Sequence, residues 1–101
     1  MTTDGAAFKW DPVKAASNLA AHGVPFDTVS DFDFETALIV IDGRHDYGEV
    51  RKIAFGFIQD RLHVLVYTER DTHIRVISLR KANDREGKLY GGSRKQTDQG
   101  G

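Results

Sequence analysis

The sequence predicts an α+β fold. A small antiparallel β-sheet, a meander of three to four strands plus a short N-terminal strand, carries two N-terminal helices and one C-terminal helix. Three observations predict it. Between residues 49 and 79, three β-rich segments follow one another with links of only a few residues, as a meander requires. Helix start and stop signals bracket residues 11–23, and a polar, helically spaced stretch follows the strands. The chain has 101 residues; a chain of this size buries roughly 60–70% of its unfolded surface, which serves one core. We therefore expect a single domain over residues 1–90, with 91–101 a disordered tail lacking core-forming residues.

Phe8-Lys9-Trp10 alternates apolar and polar and reads as the short first strand. Asp11 is an N-cap, Pro12 suits the first helical turn, and His22-Gly23 ends that helix with glycine as the left-handed residue. Pro25 opens a second, shorter helix that places Phe26, Val29 and Phe32 on one face. Ala37–Ile41 is a β-branched strand, and Asp42–Gly48 is a turn-rich loop. Glu49–Ile58, Leu62–Thr68 and His73–Leu79 form the meander, and Arg80–Tyr90 reads as the C-terminal helix. Alternation sets Val64, Val66, Ile74 and Val76 on the face that takes the helices. It sets His63, Tyr67, His73 and Arg75 on the opposite, polar face. Whether Arg51 joins that set depends on register.

Composition narrows the chemistry. There is no cysteine, so there is no disulfide framework, thiolate nucleophile or thiolate zinc site. The N-terminus lacks the pattern of a signal peptide, and no apolar run spans a bilayer, so a cytoplasmic protein with no membrane partner is expected. A net charge of −1 conceals −5 over residues 1–60 and +4 over 61–101, a dipole able to turn a basic face to a polyanion. Gly-rich phosphate loops, GxSxG and HExxH are all absent, and His22, His45, His63 and His73 are scattered.

What remains is phosphodiester chemistry on RNA, which carries its own nucleophile in the ribose 2′-OH. Guanidinium groups suit the phosphate, because their fork bonds its oxygens bidentately and keeps its charge. Arg70, Arg75, Arg80 and the Tyr67 hydroxyl fall within fourteen residues. Tyr67 or His63 is a candidate for moving a proton, and Tyr67 or Tyr90 for stacking an unpaired base. Each also has a plain structural reading: Tyr67 as a packing residue, Arg75 paired across strands to Glu49 or Glu69, and Arg70 as a turn residue.

From Phe8 to Tyr90 the chain resembles the BrnT-type toxins of bacterial type II toxin–antitoxin systems. The resemblance is carried by Trp10-Asp11-Pro12-Val13-Lys14-Ala15, Asn18-Leu19, His22-Gly23-Val24 with Phe26, Gly48-Glu49-Val50-Arg51 and Gly56. It continues through Val66-Tyr67-Thr68 with Arg70, Ile74-Arg75-Val76-Ile77-Ser78, Arg80-Lys81-Ala82, Glu86 and Tyr90. It implies a RelE-like fold and a metal-independent, cofactor-free endoribonuclease that inhibits translation. It also implies a ribbon-helix-helix antitoxin as partner, with operator DNA bound through the complex. On this basis Arg75, Arg70 and Arg80 are expected to hold the scissile phosphate, with Tyr67 or His63 handling a proton. Glu49 is either general base or partner of Arg51, and Arg51, Lys52, Lys81 and Tyr90 are expected to bind RNA. Leu79 stands where the family usually has alanine, and either shifts Arg80 or points inward. The rival reading is a non-enzymatic module that binds the antitoxin and co-represses operator DNA.

Overall fold

The computed structural model describes residues 8–43 and 48–91. In chain order they form β1 (Phe8–Lys9), α1 (Pro12–His22), a 3₁₀ helix (Phe26–Asp31), β2 (Leu38–Ile41), β3 (Lys52–Ile58), β4 (Arg61–Glu69) and β5 (Ile74–Lys81). A C-terminal helix, α2, covers residues 84–91. Residues 1–7, the centre of the 42–48 loop (44–47) and the expected disordered tail from 92 onward lie outside the described residues.

The helix signals act where the sequence places them. Asp11 accepts a hydrogen bond from the Val13 N–H at 2.9 Å, and Gly23 takes the left-handed conformation with φ 73°. The second helix is 3₁₀ rather than α, closed by short-range bonds such as Phe32 N–H to Val29 C=O at 2.9 Å.

The sheet runs β1-β5-β4-β3-β2. Strands β2 to β5 are the antiparallel meander, but β1 pairs parallel to β5, so the sheet is mixed and not wholly antiparallel. The first strand adds to the far edge of the last, after the intervening chain has formed the rest. Beyond that two-residue pairing, α1 completes the β5 edge. The buried Asn18 amide donates to Leu79 C=O at 2.6 Å and accepts from Leu79 N–H at 3.2 Å, as a neighbouring strand does. A third bond, to Val24 C=O at 3.2 Å, fixes the turn after α1.

The C-terminal helix starts later than expected. Arg80 and Lys81 belong to β5, paired with Val64 and His63, because the β4 partner continues to Arg61. Asn83 and Glu86 set the true start by a reciprocal capping box: Glu86 N–H donates to Asn83 Oδ1 at 2.8 Å, and Asn83 N–H to Glu86 Oε1 at 2.9 Å.

A β-bulge decides which side chains share a face. Tyr67 opposes Val76 while the preceding Val66 opposes Ser78, so Ile77 has no partner on β4. Alternation along β5 therefore resets. Val76 and Leu79 point to the α1 side with Leu65 and Tyr67; Arg75, Ser78 and Arg80 point to the other side with Thr68, Val66 and Val64. The expected grouping is corrected on two counts. Val64 and Val66 do not share the helix-covered face with Ile74 and Val76, and Tyr67 and His63 do not share a face with Arg75.

The α1 side holds the main core: Val24, Phe26, Val29, Phe32, Ala54, Ile58, Leu65, Tyr67, Val76 and Leu79. Leu65 and Leu79 are fully buried, each contributing about 1.5–3 kcal/mol by burial. Leu79 thus points inward, leaving Arg80 in its strand register. Gly56 is required here: a Cβ on it would come within 2.6 Å of the Phe32 ring. A second cluster lies under α2, formed by Phe55, Leu62, Val64, Ala82 and Tyr90.

Candidate active site

Among the described residues, the face of the sheet away from α1 is covered by α2 at one end and open at the other. Register builds it in rows across the three central strands. Phe55, Val64 and Arg80 form one row; Ile53, Val66 and Ser78 form the next. One step further Arg75 opposes Thr68, and Arg51 lies on the other flank of Thr68, whose hydroxyl donates to Val50 C=O at 2.8 Å. Strand spacing puts the backbones of Arg51 and Arg75 roughly 10 Å apart, and the Arg75 and Arg80 rows about 13 Å apart. Arginine side chains reach across such gaps. Without the bulge at Ile77, odd-numbered Arg75 and even-numbered Arg80 would point to opposite faces.

Between Arg51 and Arg80 is a cleft of about 340 Å³ with an apolar floor of Ile53, Phe55, Val64, Val66 and Ile77; Arg75 lies one row beyond its lining. Its polar wall is Asp42, Arg51, Ser78, Arg80 and Glu86. Its size and mixed lining fit a small-ligand site.

The arginines differ in their partners. Arg80 makes a bidentate pair with Glu86, at 2.8 Å and 2.6 Å. That hydrogen bond holds the Glu86 carboxyl below the usual glutamate range, against the opposing effect of its burial. Glu49 lies between two guanidinium groups, 3.1 Å from Arg70 Nη2 and 3.6 Å from Arg51 Nε. Arg75 is half-buried and, among the described residues, makes no ion pair.

The other expected site residues lie elsewhere. Tyr67 is 3% exposed in the α1-side core, edge-on to Phe34, and burial pushes its phenol above the usual tyrosine range. His63 is on the same side, 6% exposed, with Nδ1 2.8 Å from Arg61 C=O. Burial, then the neighbouring Arg61 and Lys81, lower its pKa against the opposing Arg61 carbonyl bond. Lys52 pairs with Glu69 at 2.7 Å beside Tyr67, a hydrogen bond that raises its pKa. Lys81 shares the His63 side by register. Tyr90 is buried against Phe57 and donates its hydroxyl to Thr36 C=O at 2.9 Å, so its ring is occupied as packing. The sheet thus gathers Arg51, Arg70, Arg75, Arg80 and Glu49 on one side and separates Tyr67, His63, Lys52 and Lys81 from them.

Sequence reasoning missed Asp42, Ser78 and Glu86 as cleft residues. Glu86 had a readable signal, the Asn83-x-x-Glu86 capping pattern. Asp42 had none beyond its place in a turn. Among the described residues no three His, Asp or Glu side chains gather as a metal site.

No individual curated protein matches the chain at a significant level. The family model for the ribonuclease toxin BrnT of type II toxin–antitoxin systems matches residues 10–86. That span runs from Trp10, beside β1, to Glu86 at the cleft, and includes every strand of the meander and Arg51, Arg70, Arg75 and Arg80 of the open face. The chain belongs to the BrnT family of ribonuclease toxins.

Proposed function

We propose that this chain is a metal-independent endoribonuclease that cleaves RNA on the open face of its sheet and so inhibits translation. The observation that supports it best is the same-face placement of Arg51, Arg75 and Arg80: Arg51 and Arg80 line one cleft, and Arg75, one row beyond its lining, has no carboxylate partner among the described residues. In this reading the ribose 2′-oxygen attacks the adjacent phosphorus, the P–O5′ bond breaks, and a 2′,3′-cyclic phosphate and a 5′-hydroxyl result. The guanidinium groups supply the charge stabilisation that a metal ion supplies in other nucleases, each positioned donor being worth about 3 kcal/mol in the transition state. Arg75 holds the scissile phosphate, with Arg51 and Arg80 on the flanks of the cleft. Glu49, held between Arg51 and Arg70, takes the 2′-hydroxyl proton, and a solvent water gives the leaving O5′ its proton.

The partner in this reading is a ribbon-helix-helix antitoxin, and the complex binds operator DNA. The setting is the cytoplasm; no helix of the described residues is long and apolar enough to cross a membrane. The test is incubation of pure protein with single-stranded RNA in EDTA. Cleavage with cyclic-phosphate ends is expected to persist; cleavage that stops in EDTA contradicts the mechanism.

One observation favours a second reading. Arg51, Arg70 and Arg80 all sit in carboxylate pairs, as residues that organise a docking surface do. A module that only binds antitoxin and operator DNA predicts no growth arrest on expression; the ribonuclease predicts arrest.

A further inference from the structure

We propose that Glu86 is a positioning residue for RNA cleavage, fixing the Arg80 guanidinium at the cleft wall through the capping box of α2. The proposal rests on the ribonuclease reading above and adds a residue that reading leaves unused.

The geometry has three linked parts. The α2 capping box immobilises the Glu86 carboxylate, because Asn83 N–H donates to Oε1 while Glu86 N–H donates to Asn83 Oδ1. The same carboxylate then receives both Arg80 amino groups, Nη1 on Oε1 and Nη2 on Oε2. Finally, α2 is itself held in place, by the Tyr90 hydroxyl on Thr36 C=O and the Tyr90 ring against Phe57. An arginine on a strand otherwise samples many rotamers. Here its head group is fixed by a chain of directional bonds from a helix start to the cleft.

A capping box needs only one Glu86 oxygen. The fork on Arg80 uses both, and only arginine fits that fork; a lysine does not. Helix capping alone gives no reason for Glu86 to turn this second interaction toward the cleft, which it lines together with Arg80. Misplacement of a catalytic group by about 1 Å typically costs on the order of 10²-fold in rate. That sets the scale of the effect when the fork is lost but the helix stays.

The test is a double-mutant cycle on the full chain with Arg80→Ala, Glu86→Gln and the pair. Single-turnover cleavage of a 5′-labelled single-stranded RNA gives the rate, and multiple-turnover kinetics give KM. Gln keeps the shape of Glu86 and its capping oxygen but not its charge. Glu86→Gln is expected to lower kcat about 10–10²-fold with KM within about twofold, and the melting curve confirms that the variant folds. In the Arg80→Ala background it should lower the rate no further, because its effect passes through Arg80.

Additive losses overturn the proposal, as does a rate per folded molecule unchanged in Glu86→Gln. A rise in activity in Glu86→Gln also overturns it, since Glu86 would then be holding Arg80 back. If Arg80→Ala alone leaves the rate of an otherwise active enzyme unchanged, Arg80 has no place in the cleft chemistry and the proposal falls with it. If the wild-type chain cleaves no RNA, the underlying ribonuclease reading fails, a result distinct from all of these.

Discussion

On the side of the sheet covered by α1 and the 3₁₀ helix, Leu65 and Leu79 are fully buried and Tyr67 packs edge-on to Phe34. On the other side of the same strands, Arg51 and Arg80 line a cleft with an apolar floor, and Arg75 faces the same side one row beyond it. Neighbours one residue apart in sequence thus serve different ends: Leu79 holds the fold, and Arg80 faces the cleft. The contrast teaches that stability and chemistry are separable here by side-chain parity, apart from the bulge at Ile77 that sets the parity of β5. Substitutions on the packed face should change melting and leave the rate per folded molecule alone. Substitution of Arg75, which makes no ion pair among the described residues of the open face, should do the reverse.

The largest effect that can break this comparison is on the packed face. Leu65→Ala removes a fully buried side chain from the centre of the sheet and should lower unfolding free energy by about 2–5 kcal/mol, measured by urea denaturation. Cleavage per folded molecule should be unchanged; a loss of rate beyond the unfolded fraction would show that the faces are coupled.

A smaller effect concerns the ion pair at the cleft wall. Glu86 has a lowered pKa in the fold, chiefly from its hydrogen bond to Arg80. A lowered pKa means that its contribution is fully present above the unfolded value, about 4.3. The contribution is lost as pH falls from there through the folded value. The gap in melting temperature between wild type and Glu86→Gln should therefore be widest at neutral pH and narrow on acidification. A gap that widens in acid contradicts the assignment.

The smallest expected effect sharpens the comparison most cheaply. Tyr67→Phe removes only a hydroxyl from a residue on the packed side. It should leave the cleavage rate within about twofold, as for a change remote from the reacting atoms. A loss of about 10²-fold or more would return Tyr67 to the proton work that sequence inspection gave it.

Much of the fold was legible because local signals carry it. The Asp11 cap, the left-handed Gly23 and the short links of the meander each act within a few residues. The parallel pairing of β1 was not legible, since a two-residue strand states no direction and its partner lies more than sixty residues away. The late start of α2 was legible in Asn83-x-x-Glu86, but helical spacing from Arg80 onward masked it. The site was legible in residue type but not in placement. Alternation alone put Tyr67 beside Arg75 and left Arg51 undecided. The bulge at Ile77, which no local pattern announces, reversed the first and brought Arg80 round to the same side. Asp42 reaches the cleft only through the pairing of β2 with β3.

The central claim is that the open face performs the cleavage through Arg75. The direct measurement is the single-turnover rate of RNA cleavage by Arg75→Ala in EDTA, with its melting temperature taken on the same sample. The account predicts a rate lower by about 10²–10³-fold with melting essentially unchanged, the usual cost of removing one positioned donor. A folded Arg75→Ala protein that cleaves at the wild-type rate would contradict it.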